Sequence, residues 1–319
     1  MASIALEHSL VEEIMLWKAE RKAIILAHNY ELPEIQDIAD VLGDSLALAR
    51  AAAKTDAEVI VFCGVHFMAE TAAILNPEKT VLLPDISAGC SLADSITVEQ
   101  LRDWKAEHKG AVVVSYVNTS AEVKAESDYC CTSSNAVKIV ESIPADREIL
   151  FLPDMFLGSY VKRVTGRENM HIWMGECHVH AGIAPSDVEG VLKQHPDAEL
   201  LVHPECGCST SSMYLLSEGL LPNERTHVLS TSGMLQHTQK STAKEFIVAT
   251  ETGIIHQMEK ANPDKTFLAA NRTAVCPFMK MITLPKVLTA LKENTHVITV
   301  PTDIRERAKA PIDRMIAIG

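Results

Sequence analysis

One pattern recurs three times along the chain, and it restricts the possible architectures more than any other feature. In the first copy the apolar run Ala23-Ile24-Ile25-Leu26-Ala27 leads into His28-Asn29-Tyr30, and a later turn ends at Cys90. In the second, Val112-Val113-Val114-Ser115 leads into Tyr116-Val117-Asn118, and the later turn reaches Cys177. In the third, Leu200-Leu201-Val202 leads into His203-Pro204-Glu205, and the later turn reaches Cys276. Tyr30 and Cys90 are 60 residues apart, Asn118 and Cys177 are 59 apart, and Glu205 and Cys276 are 71 apart. The excess in the third copy falls in an insertion over 206–222.

Inside each copy, further short apolar runs alternate with segments of helical period. The runs are Val59–Phe62 and Val81–Leu83, then Ile149–Leu152 and His171–Met174, then Phe246–Val248 and Phe267–Leu268. Continuous rather than alternating apolar runs mark strands buried on both faces, as in parallel sheets with right-handed crossovers. Helices are expected over 7–20, 37–53, His66–Leu75, Ala136–Ile143, Phe156–Val164, near Ala243 and over Ile254–Ala261. The fold class is therefore α/β, with three pseudo-symmetric repeats. Each is a small parallel sheet flanked by helices, and the three surround a central cavity. The repeats are placed at 1–109, 110–196 and 197–295, with Lys109-Gly110 and Pro196-Asp197 as junctions. Residues 296–319 are expected to dock back as a strand and a helix carrying Ala308, Ile312, Met315 and Ile316 on one face.

Ligands of such sheets lie outside the carboxyl ends of the strands, where all the marked polar residues fall. His28, Tyr30, Tyr116, Asn118, His203 and Glu205 supply donors, acceptors and one carboxylate, a set suited to general acid–base steps. Burial near an apolar strand end is expected to raise the proton affinity of Glu205. The polar breaks at Ser45, Ser133 and Thr231 mark helix starts, as N-caps or as binders of phosphate and carboxylate. One thiol per repeat, at Cys90, Cys177 and Cys276, suggests a single metal or cluster on the pseudo-threefold axis. Three thiolates holding a four-iron cluster leave one iron open to substrate. Cys63, Cys130 and Cys131 read as small buried hydrophobes, and Cys206-Gly207-Cys208 as a peripheral thiol pair. The stretch Cys177-His178-Val179-His180 also allows a mononuclear zinc site of a hydrolase or aldolase. A scaffold without catalysis would not need polar residues at every strand end.

The formal net charge of −13 argues against nucleic-acid or anionic-membrane partners. No apolar run is long enough to span a bilayer, and the acidic N-terminus lacks the pattern of a signal peptide. A cytoplasmic protein is expected.

Taken in order, Ala27-His28-Asn29-Tyr30, Gly43-Asp44-Ser45, Met68-Ala69-Glu70-Thr71-Ala72, Tyr116-Val117-Asn118, Thr132-Ser133, Cys177-His178-Val179-His180, His203-Pro204-Glu205-Cys206, Ser230-Thr231 and Met279-Lys280-Met281-Ile282-Thr283 resemble the quinolinate synthase family along nearly the whole chain. The resemblance implies a [4Fe–4S] cluster on Cys90, Cys177 and Cys276. It implies condensation of iminoaspartate with dihydroxyacetone phosphate to give quinolinate, phosphate and two waters, in NAD biosynthesis. It also implies a supply of unstable iminoaspartate from an aspartate-oxidising enzyme. By position, Tyr30, Tyr116 and Glu205 match the family's acid–base residues. His28, Asn118, His180 and His203 match residues around substrate, and Ser45, Ser133 and Thr231 match its carboxylate or phosphate binders. Cys206-Gly207-Cys208 departs from the pattern.

Overall fold

The computed structural model describes residues 2–209, 211–213 and 223–318. Its twelve strands are β1 (Ala23–His28), β2 (Val41–Gly43), β3 (Val59–Cys63), β4 (Thr80–Leu82), β5 (Val112–Tyr116), β6 (Tyr129–Cys131), β7 (Ile149–Leu152), β8 (Met170–Ile172), β9 (Glu199–Val202), β10 (Thr226–Val228), β11 (Glu245–Ala249) and β12 (Thr266–Ala269). They form three four-stranded sheets, and every named strand pair is parallel. The order is the same each time: β2-β1-β3-β4, β6-β5-β7-β8 and β10-β9-β11-β12.

The central strands are nearly all Val, Ile, Leu or Phe, and β3, β5 and β7 are buried along their whole length. Burying each such side chain contributes about 1.5–3 kcal/mol, which outweighs the weak intrinsic preference of a short segment. Within each sheet the chain steps one way from the first strand to the second, then returns past the first to reach the third. The carboxyl end of the first strand is therefore a topological switch point, where the flanking loops part and leave a crevice.

Each sheet has one strand more than the apolar runs indicated. β2, β6 and β10 are three-residue edge strands, too short and too mixed in composition to stand out. The helical reading of 37–53 is corrected accordingly. That stretch holds the end of helix Pro33–Ile38, then β2, then helix Ser45–Lys54, because β1 offers an open edge that takes up Val41–Gly43. The helix placed near Ala243 is Thr231–Lys240, starting directly after β10.

The C-terminal helix Thr302–Ala317 buries Ala308, Ile312 and Met315 against helix Ala121–Ala125 and β6. Asn135 fastens its end by donating to the Met315 and Ile318 carbonyls at 2.9 and 2.6 Å. The segment before it makes an isolated antiparallel bridge between Val297 and Leu82 rather than a strand. Among the described residues no helix is long and apolar enough to cross a membrane.

Candidate active site

A cavity lies where the switch points of the three sheets meet. The site residues marked by the family resemblance all reach its wall: His28, Tyr30, Tyr116, Asn118, His203 and Glu205 from the ends of the first strands, Ser45, Ser133 and Thr231 from the segments after the second, and Cys90, Cys177, His180 and Cys276 from the later turns.

Strand register explains the convergence. Ala27, Ser115 and Val202 are the last residues of the first strands to pair with the third, opposite Cys63, Leu152 and Ala249. His28, Tyr116 and His203 are thus equivalent positions, as are Tyr30, Asn118 and Glu205. The three sheets present these six residues to one space.

Glu205 is the electrostatic centre. Tyr116 donates its hydroxyl proton to Glu205 Oε1, His180 Nδ1 is 3.2 Å from Oε2, and His203 Nδ1 is 3.9 Å from Oε1. Burial pushes the carboxyl up, but His203, His180 and the Tyr116 hydroxyl outweigh it and hold Glu205 down at about 2. The expectation of a raised proton affinity is corrected by these partners, which come from other repeats or from the strand end itself. Burial and the Glu205 charge push Tyr116 upward, so it keeps its proton. Tyr30 is likewise pushed up, by burial above all, and bonds Thr250 Oγ1 at 2.6 Å. Burial lowers His28 and His203 to about 4, leaving both neutral at pH 7.

The helix starts differ from the expectation in detail. Asp44 and Ser230 are the N-caps, accepting from Ala47 N at 2.9 Å and Gly233 N at 3.2 Å. Ser45 and Thr231 are the first residues of their helices, and both line the cavity. Ser133 sits on the turn before helix Ala136–Ser142. Thr231 Oγ1 accepts from Asn29 Nδ2 at 3.0 Å. Among the described residues Asn118 Oδ1 is buried without a partner, which leaves an acceptor for a ligand.

The three cysteines share one local geometry. Asp94 N donates to Cys90 O, Ala181 N to Cys177 O and Lys280 N to Cys276 O, so each thiol opens a short helical turn. Burial raises the Cys90 and Cys276 thiols, Cys177 raises both further, and backbone N–H groups at Leu92, Ala93, Phe278 and Met279 oppose the rise. A bound cation would reverse the burial effect and favour thiolates. Three soft donors, those at Cys90 and Cys276 also facing backbone N–H groups, fit an iron–sulfur cluster or a thiophilic metal. Cys177, His180 and Glu205 also place ligand atoms within 4.8 Å of one another. His178 stands outside that group, with its Nδ1 2.6 Å from Ser91 Oγ.

Sequence reasoning missed Glu251, Lys280, Asp44 and Thr250. Glu251 follows β11 by two residues and is fully buried at the cavity wall. It accepts from Cys276 N at 3.0 Å and Gly253 N at 2.6 Å, and stands 3.1 Å from Lys280 Nζ. Its signal was available, since the same offset after β7 holds Asp154, another fully buried acid. Cys206 and Cys208 are not peripheral. They are fully buried and disulfide-bonded, and Gly207 N donates to the His180 carbonyl at 2.9 Å, directly behind the cavity wall. Cys63, Cys130 and Cys131 are buried free thiols.

A family model described as Quinolinate synthetase A protein matches residues 12–317. A quinolinate synthase of Mycobacterium sp. (strain KMS) is 58% identical over 307 residues, covering 96% of this chain and 91% of its own length. Quinolinate synthases of Mycobacterium tuberculosis and Mycolicibacterium paratuberculosis are each 57% identical over 310 residues, covering 95% of this chain and 89% of their own.

Proposed function

This chain belongs to the quinolinate synthetase A family, and from that premise we propose that it condenses iminoaspartate with dihydroxyacetone phosphate, releasing quinolinate, phosphate and two waters. The observation that carries the reading is the meeting, in one cavity, of three thiols, a protonated tyrosine bonded to an ionised glutamate, and two helix starts. In this reading Cys90, Cys177 and Cys276 hold a [4Fe–4S] cluster. Bound there, the cluster would supply a Lewis-acidic iron lacking a protein ligand.

The protein's own groups divide the remaining work. The first-turn N–H groups at Ser45 and Thr231 bind phosphate and carboxylate oxygens, the dipoles of two ten-residue helices adding to the attraction. In this way an acidic protein takes anionic substrates. Neutral His28 and His203 and the Asn118 amide orient carbonyl and carboxylate oxygens. Ionised Glu205 accepts a proton during carbonyl isomerisation, and Tyr116, already aligned on the same oxygen, returns one. Tyr30 stands across the cavity as a second donor. The reaction is a carbon–carbon condensation joined to dehydration, with traits of both a transferase and a lyase.

We place the activity in the cytoplasm, where six free cysteines would persist. An aspartate-oxidising enzyme supplies the unstable imine, and neither nucleic acid nor membrane takes part. The test is anaerobic purification with iron and acid-labile sulfide assays, followed by detection of quinolinate from the two substrates. Cys90→Ser, Cys177→Ser and Cys276→Ser should each abolish the brown absorption in a folded protein. A second reading rests on the Cys177, His180 and Glu205 donors, which suit a mononuclear zinc centre. Zinc without sulfide, and no quinolinate formed, would favour it.

A further inference from the structure

Beneath the third sheet, away from the strand ends that build the cavity, lies a second group of ligand-type side chains. Glu199 opens β9, His227 is the middle residue of β10, and His237 lies on helix Thr231–Lys240. His237 Nε2 is 2.5 Å from Glu199 Oε2, His227 Nε2 is 3.7 Å from the same oxygen, and the imidazole centroids are 4.0 Å apart. The three side chains are 15–26% exposed. The fold itself does not require them. Counting back from the last paired residue of each first strand, Glu199 is equivalent to Ile24 and Val112. By pairing across the edge strand, His227 is equivalent to Val41 and Tyr129. His237 is the seventh residue of its helix, where the first repeat has Ala51. The third repeat thus places a carboxylate and two imidazoles where the first packs Ile24, Val41 and Ala51.

Such an exchange costs stability unless the polar atoms are satisfied. Ser241 Oγ donates to Glu199 Oε1 at 2.8 Å and His237 bonds Oε2, but among the described residues His227 Nε2 is buried with no hydrogen-bond partner. We propose that Glu199 Oε2, His227 Nε2 and His237 Nε2 bind a structural Zn²⁺, with water as fourth ligand. Two imidazoles and one carboxylate are a zinc donor set, and the Ser241 hydroxyl fixes the carboxylate from behind. The metal would tie β9 and β10 to the helix whose first residue, Thr231, lines the cavity. The cluster of His108, Glu148 and His171 does not carry the same inference. Both imidazoles there already bond Glu148 Oε1, at 3.0 and 2.7 Å, and the His108–Glu148 pair recurs at the equivalent His195–Glu245.

The test uses holoenzyme freed of loosely bound metal and titrated with Zn²⁺ under inert gas. The expected result is one tightly held zinc per chain, with X-ray absorption showing nitrogen and oxygen neighbours at about 2.0–2.1 Å. His227→Val, which carries over the first repeat's residue, should remove that zinc and leave iron and sulfide unchanged. Zn²⁺ should raise the Tm of the wild type but not of this variant. Should His227→Val fold poorly, Glu199→Gln tests the same site by lowering zinc affinity, while His108→Ala should retain it. Sulfur neighbours near about 2.3 Å would place the zinc on the thiols and overturn the proposal. Equal zinc uptake by wild type and His227→Val, or no uptake by either, would overturn it too.

Discussion

The Tyr116 hydroxyl donates to Glu205 Oε1 across the boundary between the second and third sheets, linking residues 89 positions apart. Their carboxylate and phenol titrate in opposite directions, Glu205 held down and Tyr116 pushed up. At neutral pH the pair is therefore a base and an acid already aligned on one oxygen.

Glu205→Gln and Tyr116→Phe are each expected to lower kcat by roughly 10²–10⁴ while iron, sulfide and fold persist. Because the two act on one oxygen, the double variant should lose far less than the product of the single losses. Since Glu205 is held at about 2, it stays ionised as pH falls through its ordinary 4.5, so the acid limb of the wild-type pH–rate profile should lie near 4, where His28 and His203 take up protons, and not at the ordinary carboxylate value of Glu205. A single variant within a few-fold of wild-type turnover would remove its residue from the proton-transfer steps.

The three-sheet plan was legible because each first strand is a continuous apolar run closed by polar residues. Three such runs at regular spacing leave few alternatives. The cavity residues were legible for the same reason, since each stands at a fixed offset from a strand end. The edge strands were not, because Val41–Gly43 and Thr226–Val228 become strands only when β1 and β9 offer backbone partners. Nor was the ionisation of Glu205, which depends on Tyr116 and His180. Burial was the only effect visible in the chain itself, and it points the other way. The caps were misplaced by one residue, because Asp44 competes with Ser45 and Ser230 with Thr231, and backbone angles decide between neighbours.

Gly175 stands two residues before Cys177, and Met155 N donates to its carbonyl at 2.8 Å. A Cβ there would lie 2.3 Å from Ser95 Oγ and 2.5 Å from the Pro153 carbonyl. Gly175→Ala must displace the turn that carries the thiol. It should cost about 1–3 kcal/mol in urea unfolding and lower the iron content per chain. Wild-type stability together with full iron would show that the turn has room to move.

Glu126 joins three elements. Its carboxylate meets Arg102 at 2.8 Å, Lys105 at 3.2 Å and Arg307 of the C-terminal helix at 3.0 Å. Burial pushes Glu126 up, but Arg102, Lys105 and Arg307 outweigh it and hold it at about 2, below its ordinary 4.5. A depressed folded-state pKa gives stability that is fully present above 4.5 and is lost as pH falls toward about 2. Glu126→Gln should therefore cost about 1–2 kcal/mol at neutral pH, and its deficit against wild type should shrink as the pH drops below 4.5. A deficit independent of pH would mean that the contribution is packing rather than charge.

Lys280 holds two parts of the cavity wall together. Its ammonium donates to the Tyr30 carbonyl and stands 3.1 Å from Glu251 Oε1, the oxygen that also accepts from Cys276 N. The Glu251 side chain is only 1% exposed, so Lys280 is the counter-charge for an acid with almost no water around it. Burial pushes the neighbouring Glu31 well above its ordinary range, and Lys280 opposes that rise. Lys280→Met keeps the apolar stem and removes the charge. Breaking a buried ion pair costs about 3–5 kcal/mol, and the two N–H groups on Glu251 should keep the loss near the lower end of that range. Adding Glu251→Gln removes the stranded charge, so the double variant should recover part of the stability that Lys280→Met loses. If Lys280→Met unfolds at the wild-type urea midpoint, the ammonium is not what holds Glu251 in place, and the N–H groups of Cys276 and Gly253 suffice.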